Sequence, residues 1–242
     1  MALTAIFLNA ALKLLGPERW ELDVDGQKRT AQVVEGPDDG PVILAFHGHG
    51  GQGRIIMNGW RLHERMPEAT VIYPDGLPTA TGRDPEGQRP GWQSRDGQEG
   101  DRDVKFITAL REKVGADRPT LLIGHSNGAA LTVYLWGRED ADFKGVVEIA
   151  GGGMPRAGSA HIPMMVVAGQ DDQIVPFANQ QRFIDGMKRI LRTGEGKTEG
   201  LLTTYTSSAG VPFWTYVHPG AHGVPQDSLD AAVKFFRTCL SR

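Results

Sequence analysis

A serine with a glycine two residues before it and two residues after it is the first feature that could do chemistry. Ser126 lies in Gly124-His125-Ser126-Asn127-Gly128, after the apolar segment 121–123 and before residues 129–135, which can form a helix. Strand, tight turn and helix in this order are typical of a nucleophile elbow, where the serine is strained and the glycines allow close packing. A glycine-rich turn without chemistry is the alternative, because so short a pattern also occurs by chance.

A serine hydroxyl is a weak nucleophile, so it needs a histidine base and a carboxylate that orients the histidine. Two later predicted strands end at suitable groups, one before Asp171 and Asp172 and the other before His218 and His222. We favour Asp172 as the acid, although either aspartate could instead cap a helix or stay solvated. We favour His222 as the base, because a Pro-Gly turn precedes it and can return it towards Ser126. His218 is then a loop-packing residue.

Backbone N–H groups must also stabilise the oxyanion that forms during attack. The run His47-Gly48-His49-Gly50-Gly51 follows a predicted strand, and its glycines let the amides turn inward. We expect donors from the N–H of His49, or of Gly50, and from that of Asn127. His47 and His49 could instead belong to a metal site, but no cluster of carboxylates and histidines completes a ligand set. We therefore expect neither a metal nor another cofactor.

Two long segments fit no regular element, residues 75–100 and residues 193–212. Loops of this length are uncommon unless they are functional or disordered. In an open α/β sheet they would lie around the carboxyl ends of the strands, where ligands bind. Trp92 lies in the first segment, where it could wall a substrate pocket or pack against its own loop. We carry it as a candidate substrate-binding residue.

Short apolar runs that alternate with amphipathic helical stretches predict the elements that position these groups. The predicted strands are residues 42–46, 70–73, 120–123, 146–149, 164–167 and 214–217. Helices are predicted around residues 104–114, 183–191 and 229–240, and directly after Ser126. Residues 20–24 and 30–34 predict an antiparallel hairpin with a somewhat long turn. The fold class is therefore α/β, a mostly parallel central sheet with helices on both faces and an antiparallel N-terminal hairpin.

Composition and charge limit the function classes. The chain has 242 residues, of which 40% are hydrophobic, which suits one globular catalytic domain over residues 18–242. A net charge of −3 gives no electrostatic footprint for nucleic acid. Residues 1–17 could form a peripheral amphipathic helix or a signal-like segment, although they lack a basic start and a cleavage signal. No run is long enough for stable membrane insertion.

Several motifs in order resemble the feruloyl esterase, acetylxylan esterase and polyhydroxybutyrate depolymerase group of α/β-hydrolases. They are His47-Gly48-His49-Gly50-Gly51, Tyr73-Pro74-Asp75-Gly76, Asp103-Val104-Lys105-Phe106-Ile107, the elbow around Ser126, Asp172-Gln173-Ile174-Val175-Pro176 and Gly220-Ala221-His222. The resemblance implies an α/β-hydrolase fold, and it implies nucleophile, acid and base roles for Ser126, Asp172 and His222. Ala129, where the family often has glycine, and Gly223-Val224-Pro225 depart from its pattern, and this chain lacks the cysteines near the active site that polymer-degrading members carry.

The expected activity is hydrolysis of a small or polymer-derived carboxylic ester through an acyl-enzyme. An acyltransferase, an amidase or a peptidase would use the same three residues, and a non-catalytic ligand-binding relative would lose one of them. The resemblance favours secretion, whereas the absence of a clear signal and of disulfides favours the cytoplasm. The sequence does not indicate an oligomeric state.

Overall fold

Strands and helices alternate along the chain much as the apolar runs predict. The computed structural model describes residues 16–152 and 161–242. The strands are β1 (Glu18–Val24), β2 (Gln27–Val34), β3 (Val42–Phe46), β4 (Thr70–Pro74), β5 (Leu77–Pro78), β6 (Pro90–Gly91), β7 (Thr120–His125), β8 (Gly145–Ile149), β9 (Met164–Gly169), β10 (Lys197–Glu199), β11 (Leu202–Thr206) and β12 (Pro212–His218). The helices are α1 (Gly53–Trp60), α2 (Leu62–Arg65), α3 (Arg102–Val114), α4 (Asn127–Trp136), α5 (Phe177–Leu191) and α6 (Gln226–Leu240). The expected N-terminal helix or signal segment, residues 1–17, falls almost entirely outside the described residues.

Ten strands of the described residues form one sheet, in the order β1-β2-β4-β3-β7-β8-β9-β12-β11-β10. The pairs from β4 to β12 are parallel, and antiparallel strands lie at both edges. The predicted mostly parallel sheet with an N-terminal hairpin is therefore confirmed. Its central strands are buried along their length, which explains their nearly continuous apolar sequences. The hairpin turn is tighter than predicted, because Val24 pairs with Gln27 and leaves only Asp25 and Gly26, both at positive φ, in the turn.

Helices cover both faces of the sheet. On one face α3, α4 and α5 pack against alternate strand residues such as Leu44 and Leu122. On the other face α1, α2 and α6 cover Ile43, Leu121 and Ile123. Neighbouring residues of a strand thus enter different cores, as the two-residue period of a strand requires. No helix in the described part of the chain has the length and apolar character to cross a membrane.

Two regions differ from the sequence-based prediction. Residues 193–212 are not irregular, because β10 and β11 form a hairpin that extends the sheet beyond β12. These strands are rich in threonine and partly exposed, so they favour extended backbone without a hydrophobic pattern. Within residues 75–100, β5 and β6 form a two-stranded ladder. Helix α1 was not predicted from the sequence, because Gly53 and Gly59 lower the helix propensity of this segment.

Gly53 shows why a poor helix former begins α1. A Cβ built on Gly53 would lie 2.1 Å from the carbonyl oxygen of Tyr73 in β4, which only glycine avoids. The central strands are parallel, so the loops that follow them all leave the sheet on the same side, at the carboxyl ends of β3, β4, β7, β9 and β12. Residues that are far apart in the sequence therefore meet at the carboxyl ends of these strands.

Candidate active site

Ser126 occupies a sharp turn between β7 and α4. Its φ of 56° and ψ of −116° lie outside the regions that non-glycine residues favour. Its N–H donates to the Ile149 carbonyl at 2.8 Å, which fixes the turn against β8. A Cβ on Gly124 would lie 2.3 Å from the carbonyl oxygen of Gly128, and a Cβ on Gly128 would lie 2.5 Å from that of Phe46. The glycines are thus required because strand and helix backbones approach closely. The turn holds the strained serine at the carboxyl end of β7.

His222 joins Ser126 to Asp172 in one line of hydrogen bonds. The His222 Nε2 atom lies 2.8 Å from Ser126 Oγ, and its Nδ1 atom lies 2.7 Å from Asp172 Oδ2. In the neutral imidazole, Nδ1–H donates to the carboxylate and Nε2 accepts from the hydroxyl. Of the alternatives weighed from the sequence, Asp171 is exposed to solvent. His218 is buried, and its Nδ1 accepts from the Gly220 N–H.

The Asp172 carboxylate is held on both oxygens. Oδ1 accepts the N–H groups of Ile174 and Val175 at 2.8 and 2.9 Å, and Oδ2 accepts from Gln180 Nε2 as well as from His222. Burial opposes ionisation, but the hydrogen bonds outweigh it and lower the pKa of Asp172. The group is therefore an anion at neutral pH that faces the imidazole.

His125 is a contact of His222 that sequence reasoning missed. Its Nε2–H donates to the carbonyl oxygen of His222 at 3.0 Å, and the two ring centroids are 4.9 Å apart. Burial first, and the neighbouring His222 second, lower the pKa of His125 to about 4. A neutral His125 thus supports the loop that carries His222. Its place beside the nucleophile in the elbow was the signal that could have found it.

The loop after β3, residues 47–51, lies directly against Ser126 and is called here the amide loop. A Cβ on Gly48 would lie 3.3 Å from Ser126 Cβ. The N–H of Gly50 donates to the Pro90 carbonyl at 2.7 Å, so this alternative oxyanion donor is already engaged. Within residues 16–152 and 161–242, the N–H groups of His49 and Asn127 donate to no protein acceptor. Both residues line the same cleft as Ser126, as the expected oxyanion donors should.

His47 uses both ring nitrogens inside the protein. Nδ1 donates to the Gly48 carbonyl at 2.8 Å, and Nε2 accepts the N–H of Gly76 at 2.9 Å. Burial lowers the pKa of His47, so the ring is neutral and braces the amide loop. His49 directs Nε2 to Asp84 at 3.0 Å. No group of three or more metal-ligating side chains is found among the described residues, and His47 has no nitrogen left for a metal.

Trp92 does not wall the cleft, so that expectation is wrong. The indole is completely buried behind the amide loop, in edge contact with Phe46, and its Nε1–H donates to the His47 carbonyl at 2.9 Å. Its backbone N–H and carbonyl are both bound by the side-chain amide of Asn127. A buried indole needs an apolar wall and an acceptor, and this position supplies both. Trp92 thus ties the amide loop to the start of α4.

The cleft over Ser126 has a volume of about 850 Å³. One part of its wall is apolar and consists of Ile55, Ile56, Ile174 and Val175. Another part comes from the loop of residues 79–89, called here the roof loop. The roof loop is anchored where Asp84 accepts both His49 Nε2 and the N–H of Arg89. An open cleft beside a serine hydroxyl, an imidazole within hydrogen-bond reach of it and unengaged N–H groups can support acyl transfer.

Comparison with protein-family models finds no match, and comparison with curated proteins finds none either. Solved structures do match most of the chain. The Bacillus cereus carboxylesterase superposes with a TM-score of 0.62 at 20% identity, over 87% of this chain and 94% of its own. Acetyl xylan esterase from Aspergillus awamori gives a TM-score of 0.67 at 13% identity, over 91% and 99%. Arabidopsis thaliana SOBER1 gives 0.58 at 18% identity, over 83% and 99%.

At these identities the likeness concerns the fold. The matches span nearly the whole of each neighbour and most of this chain. The sheet order, the helices on both faces and the turn at Ser126 agree with that likeness. This chain has the α/β-hydrolase fold, which the sequence motifs led us to expect.

Proposed function

We propose that this protein is a serine hydrolase of carboxylic esters in which Ser126, His222 and Asp172 form the catalytic triad. The observation that carries the proposal is the hydrogen-bonded line from Ser126 Oγ through His222 to Asp172, with distances of 2.8 and 2.7 Å. A strained serine at an elbow, a histidine base within reach of its proton and a buried anion behind the base are the parts that acyl transfer needs.

In the first half of the reaction, Ser126 Oγ attacks the ester carbonyl while His222 Nε2 takes its proton. The N–H groups of His49 and Asn127 stabilise the oxyanion of the tetrahedral intermediate. His222 then gives the proton to the departing alcohol, which leaves the acyl group on Ser126. In the second half, water loses a proton to His222 and attacks the acyl group, and the acid is released as Ser126 regains its proton. Asp172 stays ionised and stabilises the imidazolium in both halves.

The names of the structural neighbours support an ester as the substrate. Those with similar folds include a carboxylesterase and an acetyl xylan esterase. The motif resemblance to feruloyl esterases, acetylxylan esterases and polyhydroxybutyrate depolymerases points the same way. A panel of 4-nitrophenyl acetate and butyrate, methyl ferulate, acetylated xylan and a hydroxybutyrate oligomer would rank these substrates directly.

The test is hydrolysis of 4-nitrophenyl butyrate by the Ser126→Ala variant. We expect kcat to fall by at least about 10³-fold, because the nucleophile is lost, with an unchanged unfolding midpoint. Ser208→Ala is the matched control, since Ser208 is exposed in the turn before β12. A fluorophosphonate should label the wild-type protein at Ser126 and leave Ser126→Ala unlabelled. Undiminished turnover by Ser126→Ala, or a label on another residue, would overturn the assignment.

A further inference from the structure

Two arginines on the roof loop line the cleft over Ser126. Arg83 and Arg89 both belong to exposed positions, and neither forms an ion pair with a carboxylate of the described residues. The residues outside the described ranges include no aspartate or glutamate that could neutralise them. The charges of Arg83 and Arg89 therefore face the cleft without a carboxylate that pairs with them in the described part of the chain.

Asp84 is the carboxylate in the cleft wall, but its hydrogen bonds show that it does not neutralise Arg83 or Arg89. Its Oδ2 atom accepts His49 Nε2 at 3.0 Å and the backbone N–H of Arg89 at 2.9 Å. The side chain of Asp84, itself in the roof loop, is only 14% exposed. It therefore anchors the loop, whereas both guanidinium groups keep donors for a ligand.

The backbone of the roof loop places both arginines. The N–H of Arg89 is bound by Asp84 and its carbonyl accepts the N–H of Thr79 at 3.1 Å. The stem of Arg89 lies along the amide loop, since a Cβ on Gly50 would be 3.4 Å from Arg89 Cδ. Arg83 spans the cleft, because one Nη2–H donates to the Ile174 carbonyl at 3.0 Å. The Arg83 guanidinium is thus held at the cleft wall by a backbone carbonyl, whereas Arg89 is placed through its backbone and its stem.

The same cleft exposes apolar side chains. Ile55 is 59% exposed and Ile174 is 42% exposed, and both line the wall beside Ser126. Large apolar side chains exposed in a cleft favour an apolar ligand surface. The wall therefore combines an apolar surface with two cations, which suits a ligand that has an apolar body and an anionic end.

We propose that Arg83 and Arg89 make this site selective for esters that carry a carboxylate on one arm. The inference rests on the proposed ester hydrolysis by Ser126. A guanidinium offers a planar fork of N–H donors that fits a carboxylate, and such a pair is stronger in a cleft than in open water. Because the whole chain has a net charge of −3, attraction of an anionic ester must come from the local field of the cleft.

The experiment compares esters that differ only in a terminal carboxylate or carboxamide. For the acyl arm, the pair is the mono-4-nitrophenyl ester of adipic acid and the same ester of adipamic acid. For the alcohol arm, the pair is the butyrate ester of 4-hydroxybenzoate and that of 4-hydroxybenzamide. We expect wild-type kcat/KM to favour the carboxylate of at least one pair by about tenfold. The preference should shrink at high salt, because ions screen partly exposed charges.

The variants are Arg83→Gln, Arg89→Gln and the double variant, with Arg54→Gln as the matched control. Arg54 is an exposed arginine of α1 that does not line the cleft. We expect the double variant to lose the carboxylate preference, measured as the ratio of kcat/KM within each pair. Arg54→Gln should keep the preference. Arg83→Gln could slow both esters of a pair because it also loses the bond to Ile174. In that case Arg89→Gln decides whether the preference depends on the arginines, because the Arg89 side chain forms no hydrogen bond to the described residues.

Equal rates for both members of both pairs in the wild-type protein would overturn the carboxylate selectivity, and so would a preference that survives the double variant. Neither result touches the proposed hydrolysis, because the carboxamide esters report that activity. If the wild-type protein turns over none of the four esters, or if Ser126→Ala turns them over at the wild-type rate, the proposed function itself fails.

Discussion

His222 is held by three side chains that come from two distant parts of the chain. Ser126 and Asp172 bind its two nitrogens, and His125 donates to its backbone carbonyl. In the mechanism proposed above, His222 takes up and returns a proton in each half of the reaction, which depends on this orientation. The contact from His125 is therefore expected to position His222, although His125 itself does not touch the reacting atoms.

Replacing His125 by leucine should lower kcat for 4-nitrophenyl butyrate by about tenfold, which corresponds to one lost hydrogen bond. KM should change less than kcat, because His125 is one of many residues that line the cleft and the others stay in place. His125→Gln keeps a donor and should recover part of the rate. The matched control is His63→Leu, which removes a comparable bond to Tyr73 away from the cleft. Full activity in His125→Leu would show that the loop needs no support from this ring.

At the scale of single elements, strand β8 carries a carboxyl group that forms no ion pair with a cation of residues 16–152 or 161–242. Glu148 is completely buried in register with Gly124 of β7, and its Oε2 accepts the Gly151 N–H at 2.9 Å. A Cβ on Gly151 would lie 2.7 Å from Ala129 Cβ, so this region packs closely behind the elbow. Burial raises the pKa of Glu148 to about 8, with the Gly151 bond opposing the shift. The carboxyl group is therefore protonated in the folded protein at neutral pH.

A raised pKa in the folded state gives a defined pH dependence. Between the ordinary value of 4.5 and about 8, the folded state holds a proton that the unfolded state releases. The stabilising contribution is thus complete below pH 4.5 and is lost as pH rises towards 8. Relative to Glu148→Gln, the wild-type free energy of unfolding should fall with pH by on the order of 1 kcal/mol per unit.

Urea unfolding of both proteins at pH 5, 6, 7 and 8 measures this difference. Glu112→Gln, which changes an exposed carboxylate of α3, should run parallel to the wild-type protein. A constant difference between the wild-type protein and Glu148→Gln across this range would mean that the carboxyl group is ionised in the fold.

A buried ion pair joins distant parts of the whole molecule. Arg29 of β2 lies 2.8 Å from Asp103 of α3, and both side chains are fully buried. Arg29 also lies over the ring of Phe106, and Asp103 accepts the N–H of Gln93 next to Trp92. Burial lowers the pKa of Arg29, although Asp103 opposes that shift. The N-terminal hairpin, α3 and the segment behind the amide loop are thus connected through one charge pair.

Removing one partner should destabilise the whole fold. Asp103→Asn leaves a buried guanidinium without its counter-charge, and we expect a loss of about 3–5 kcal/mol in the free energy of unfolding. The double variant Arg29→Met with Asp103→Leu replaces both charges by apolar groups and should recover more than half of that loss. Asp25→Asn is the control on the same hairpin, because it breaks an exposed pair with Lys105 and should cost less than about 1 kcal/mol. A double variant no more stable than Asp103→Asn would contradict this account.

Local signals in the sequence were sufficient for the main elements. The apolar runs predicted the central strands because strands covered on both faces need side chains that avoid water in every position. The elbow around Ser126 was readable because its strand, turn and helix are consecutive in the sequence and Gly124 is imposed by its approach to Gly128, although Gly128 itself packs against Phe46 of β3. The hairpin β10–β11 was not readable, because threonine at a partly exposed edge leaves no hydrophobic period.

The sequence by itself determined the α/β class, the position of the elbow and a short set of candidates for each role. Only the tertiary structure brought Asp172 and His222 to Ser126, engaged the N–H of Gly50 and buried Trp92 behind the amide loop. The reason is physical. Strands and elbows follow mainly from neighbours a few residues apart. The partners of Ser126 and the places of Gly50 and Trp92 depend instead on hydrogen bonds between loops that are tens of residues apart in the sequence. Those loops meet only when the parallel strands bring their carboxyl ends together.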